Sequence, residues 1–70
     1  MAQVLAHITG TVWKIEVKVG DQISDGAVVA ILESMKMEMP VEAETGGTVK
    51  EIRVEEGQPV QEGDIIAIVD

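Results

Sequence analysis

Gly10-Thr11-Val12-Trp13-Lys14-Ile15-Glu16-Val17-Lys18-Val19-Gly20 and Gly47-Thr48-Val49-Lys50-Glu51-Ile52-Arg53-Val54-Glu55-Glu56-Gly57 are two versions of one passage. Working outward from them, residues 4–33 align with residues 41–70 at a constant offset of 37 and without a gap. Val4, Ala6, Ala30 and Ile31 recur as Val41, Ala43, Ala67 and Ile68, so the chain is an internal duplication. Within the first passage Trp13, Ile15, Val17 and Val19 alternate with Lys14, Glu16 and Lys18. Within the second, Ile52 and Val54 alternate with Glu51, Arg53 and Glu55. Alternation with a period of two marks a strand buried on one face, and it places Trp13 among the inward-facing residues.

Each alternating stretch runs into a polar segment with two glycines, Gly20 and Gly26 in the first copy and Gly57 and Gly63 in the second. Glycine supplies the positive φ of tight turns, and the lone Ile23 or Val60 between them can plug inward. The apolar runs Val28 to Leu32 and Ile65 to Val69 follow, long enough for a strand and too short for an independent helix. Each copy therefore reads as strand, strand, tight loop, strand. Two copies are too few for a solenoid. They can close on each other as a flattened β-barrel or sandwich with pseudo-twofold symmetry, which limits exposed strand edges. In such a body the linker between the copies and the chain termini are expected at opposite ends.

With 70 residues the chain accommodates one domain, residues 1–70, with a thin core. Trp13 is its only aromatic residue, so that core must come from β-branched aliphatics, and the fold class is all-β. There is no cysteine, hence no disulfide and no thiolate chemistry. The first residues lack the basic and apolar regions of a secretory signal, and no run approaches membrane-spanning length; the expectation is a soluble cytoplasmic protein without a membrane partner. Thirteen acidic residues against five basic ones give a formal charge of −8, which repels a nucleic acid.

Between the repeats lies residues 34–40, Ser34-Met35-Lys36-Met37-Glu38-Met39-Pro40, which the duplication does not account for. Alternation continues here and sets Met35, Met37, Met39 and Val41 against Lys36, Glu38 and Glu42. Lys36 then projects outward near a turn, flanked by two flexible thioethers suited to a contact surface that adapts to a partner. An arbitrary turn lysine is merely solvated; position and neighbours set this one apart. The methionines have no cysteine or nearby histidine to complete a copper(I) site, so no metal centre is expected. His7, aligned with Glu44, has no nucleophile or carboxylate partner in a motif, and no phosphate-binding loop or catalytic triad is present. Trp13 takes the place of Lys50 in the other copy and is expected to cover the core or an edge, with contact to a partner as the alternative.

The stretch Glu33-Ser34-Met35-Lys36-Met37 resembles the attachment motif of the biotinyl and lipoyl carrier domain family. The similarity extends to the Gly20-Asp21 and Gly26 loop, its echo at Gly57 and Gly63, and the Gly47-Thr48-Val49 start. This resemblance implies two antiparallel sheets with the modified lysine on a hairpin tip. It implies a biotin acceptor and carrier, not an enzyme: biotin protein ligase joins biotin to Lys36 through an amide, and the cofactor then carries carboxyl groups between a biotin carboxylase and a carboxyltransferase. Glu33, Met35 and Met37 are the candidates for ligase recognition. Methionine on both sides of the lysine is the biotin form of the motif, while Ser34 departs from the alanine common there. Lipoate attached by a lipoyl ligase, alone or in addition, is the alternative; an unmodified interaction module is the second.

Overall fold

The computed structural model describes residues 1–70. Eight strands form: β1 (Ala2–Leu5), β2 (Gly10–Ile15), β3 (Gln22–Ile23), β4 (Val28–Ser34), β5 (Met37–Glu42), β6 (Gly47–Ile52), β7 (Pro59–Val60) and β8 (Ile65–Val69). They make two antiparallel four-stranded sheets, ordered β1-β8-β6-β3 and β5-β4-β2-β7. Adding 37 to the residues of β1, β2, β3 and β4 leads to β5, β6, β7 and β8, and the same shift carries one sheet order onto the other. The all-β sandwich with internal twofold character that the sequence predicts is the one observed.

The copies interlock. β1 and β3 of the first copy lie in one sheet, and β2 and β4 in the other, so every sheet holds strands from both copies. Loop hydrogen bonds repeat the exchange: Gly20 N donates to the Val49 carbonyl at 2.7 Å, and Gly57 N to the Val12 carbonyl at 2.7 Å. Gly20 has φ +97° and Gly57 φ +91°, a left-handed conformation that glycine adopts without strain. Between the sheets sit Val12, Val29, Leu32, Val49 and Ile66, each at most 1% exposed, with Val60 buried and Ile23 packed against the cluster. Each such aliphatic contributes roughly 1.5–3 kcal/mol by leaving water.

Strict alternation fails at β-bulges in several ladders, and the one in β2 is informative. β2 pairs Val12 with Leu32 and Lys14 with Ile31, which leaves Trp13 as the extra residue of a β-bulge; Lys50 is the extra residue in β6. The bulge shifts the inward set to Val12, half-buried Ile15 and buried Val17, and it leaves Trp13 49% exposed. The core role expected for Trp13 is therefore corrected. Val19 is also exposed, because β2 has ended at Ile15 before reaching it.

Strand direction fixes the two ends of the body, whose longest dimension is 31 Å. β4 rises to the β4–β5 turn and β5 descends from it. Residues 43–46 then cross to the start of β6, where Thr48 N donates to the Asp70 carbonyl at 3.0 Å and Asp70 N donates to the Thr48 carbonyl at 2.8 Å. The connection between the copies and the chain termini thus lie at opposite ends.

Candidate functional site

Ser34 closes β4 and pairs with Met37, which opens β5, so only Met35 and Lys36 remain to reverse the chain. Both are left-handed, with φ 53° at Met35 and 66° at Lys36. Two-residue hairpins favour positive φ at both central positions because that geometry matches the strand twist. For residues with a Cβ it costs roughly 1–2 kcal/mol each. The ladder beneath, Ile31 with Pro40, Leu32 with Met39 and Glu33 with Glu38, holds the turn in place. Buried Leu32 anchors this ladder in the core.

Lys36 is exposed and makes no ion pair; the three in the structure are Lys14–Glu16, Lys50–Asp70 and Arg53–Glu51. It sits on the turn that caps the β4–β5 ladder, exposed to solvent. Below it Glu33 and Glu38 face each other across the two strands, both exposed and neither ion-paired. Such like-charge opposition weakens a sheet slightly. Met35 is 93% exposed and Met37 62%, so two thioethers flank the amine in solvent.

The sequence-predicted residues Glu33, Met35, Lys36 and Met37 are brought together at one end of the molecule. One detail differs from simple alternation: Met35 belongs to the turn and not to a strand face. Met37, Met39 and Val41 do share the inner side of β5, and burial deepens along them until Val41 is 3% exposed. The left-handed turn had no readable signal. Asn-Gly would have marked it, and Met-Lys does not. His7 is exposed beside an open surface depression shared with Leu5, Asp25, Glu42 and Glu44, away from the tip. No group of three or more His, Asp or Glu side chains is arranged to hold a metal ion.

A covalently held acyl cofactor requires an accessible primary amine on a firm support. Lys36 meets that requirement.

Comparison with known proteins bears on the family and the fold. The Biotin_lipoyl family model, described as a biotin-requiring enzyme, matches residues 1–69. The chain is 58% identical over 38 residues to the biotin/lipoyl attachment protein of Bacillus subtilis, a match covering 54% of this chain and 52% of that one. It is 55% identical over 40 residues to biotinylated protein TB7.3 of Mycobacterium bovis, covering 57% of this chain and 56% of the relative. The matched region thus spans about half the length of these relatives. Among solved structures, Kluyveromyces lactis urea carboxylase contains a region superposing on 99% of this chain with a TM-score of 0.93 and 36% identity, 6% of the larger chain. A single-chain, multi-domain long-chain acyl-CoA carboxylase contains another, with a TM-score of 0.87, 29% identity and coverage of 94% of this chain and 7% of that one. By the family match over nearly its whole length, the chain belongs to the biotin/lipoyl attachment family.

Proposed function

We propose that this protein is a biotin acceptor and carrier whose attachment residue is Lys36. The observation that carries the reading is the exposed, unpaired amine of Lys36 on a two-residue left-handed turn, at the end of the body opposite the termini. In the attachment step the neutral Lys36 nitrogen attacks the acyl carbon of biotinyl adenylate. The amide C–N bond forms, the acyl–phosphate bond breaks, AMP leaves and the amine gives up a proton. The ligase assists that deprotonation, while this chain contributes position. When bound, the ureido ring of biotin accepts a carboxyl group at a biotin carboxylase site and releases it at a carboxyltransferase site.

The chain's own part is mechanical. A rigid body holds the tether at its tip, so the cofactor samples both partner sites at high effective concentration. No side chain near Lys36 forms an acid, base or nucleophile constellation, and bond-making belongs to the partners. The relatives named for biotinylation and the carboxylase neighbours support biotin as the cargo. Lipoate is the second reading, favoured by the biotin/lipoyl name of the Bacillus subtilis relative.

The test is acylation in vitro with biotin, ATP and a purified biotin protein ligase, followed by peptide mapping. Biotin is expected on Lys36, and Lys36→Arg is expected to take none, because a guanidinium cannot be deprotonated to a nucleophile. The variant should keep the far-UV spectrum and melting temperature of the parent, since the side chain is solvent-exposed. Biotin on the Lys36→Arg chain would overturn the assignment.

A further inference from the structure

The duplication supplies an internal control for which surface residues the scaffold needs. Trp13 and Lys50 occupy the same bulge in the two copies, and both are exposed. A lysine therefore satisfies this backbone position, and the indole at position 13 is not required by the fold. Placing half of a large apolar ring in water gives up stabilisation that burial would have provided.

The charge around Trp13 is equally one-sided. On the outer face of the β1-β8-β6-β3 sheet, Asp70 is paired with Lys50 at 3.6 Å and Glu51 with Arg53 at 3.4 Å. On the outer face of the β5-β4-β2-β7 sheet, Glu33, Glu38 and Glu42 are exposed and have no ion-pair partner. Lys14, the cation beside Trp13, is already engaged by Glu16 at 3.9 Å. One face of the sandwich is thus neutralised from within, and the face carrying Lys36 presents free carboxylates with an exposed indole among them.

Trp13 falls opposite the step from Leu32 to Ile31, so at about 3.3 Å per residue it lies roughly 10–13 Å along the strand from Met35. A standard interface covers about 800 Å² per partner, a disc of roughly 16 Å radius. An enzyme that takes the Lys36 amine into its active site and leans on this side of the tip therefore reaches Trp13. We propose that the outer face of the β5-β4-β2-β7 sheet, with Trp13 as its apolar anchor and Glu33, Glu38 and Glu42 as its rim, docks on a basic surface of the ligase that acylates Lys36. The inference rests on Lys36 being the acceptor. Tryptophan is the residue type most often dominant in such contacts, and a cationic guanidinium packs well on its ring.

Because Trp13 is the only tryptophan, the chain labelled with 5-fluorotryptophan has one fluorine resonance. Titration with an unlabelled biotin protein ligase that acylates the wild-type chain should shift or broaden it. Trp13→Lys, which installs the residue of the other copy, should raise KM for the carrier about tenfold or more with kcat little changed, the size of loss expected for a truncated anchor. The double variant Glu38→Gln, Glu42→Gln should weaken the salt dependence of kcat/KM. An unmoved resonance at saturating ligase, or unchanged KM in a folded Trp13→Lys chain, would overturn the proposal. A resonance that moves with the chain's own concentration would also overturn it, assigning the face to a second copy. Absence of acylation in the wild type would instead remove the acceptor reading itself.

Discussion

At the scale of single residues, the chain accepts local cost at its tip. Met35 and Lys36 both sit in the left-handed region, and neither is a residue type that favours it. Replacing Met35 with Asn should relieve part of that strain and stabilise the fold by about 0.5–1 kcal/mol, read as a raised denaturant midpoint. If the Met35 thioether contacts the ligase, the same change slows acylation, so the two readouts separate turn geometry from recognition. The exposure of Lys36 was legible in the sequence because its segment stands outside the duplication. The outward placement of Trp13 was not, because a bulge adds one residue to a strand without any compositional mark and reverses which side the next residue faces. Only pairing with Leu32 and Ile31 reveals it.

At the scale of elements, the decisive unit is the β4–β5 hairpin with β2 beside it. Gly10 opens β2 directly under the tip, and a Cβ there would come within 2.5 Å of the Glu33 carbonyl oxygen. Gly10→Ala should therefore cost about 1–3 kcal/mol, measurable by chemical denaturation, and should disturb the end of β4 that supports Lys36. Gly47 mirrors it at the other end, where an added Cβ would run into the Asp70 carbonyl. Leu32, fully buried, ties β4 to the core; Leu32→Ala should cost about 2–5 kcal/mol by thermal or denaturant unfolding. The strands themselves were readable from period-two alternation and glycine punctuation. The brief β3 and β7 were legible only as inward plugs, since two residues are too short to show a period.

At the scale of the whole molecule, duplication and interlocking make the two copies inseparable. Each copy contributes strands to both sheets, so neither copy alone can close a core. A peptide of residues 1–36 should lack the β-sheet circular dichroism of the full chain, and the full chain should unfold in one transition, with total stability of roughly 4–10 kcal/mol for its size. The same arrangement sends the connection between the copies to one end and the termini to the other, which is what a tethered carrier needs. The overall symmetry followed from an offset of 37 in the sequence, but the exchange of strands between sheets did not, because alternation reports faces and not neighbours. The measurement that bears most directly on the central claim is the intact mass and peptide map of the chain co-expressed with biotin protein ligase and lipoyl ligase, with both acids supplied. A biotin-sized increment confined to Lys36 is the predicted result; no biotin increment, or one on any other residue, would contradict the account.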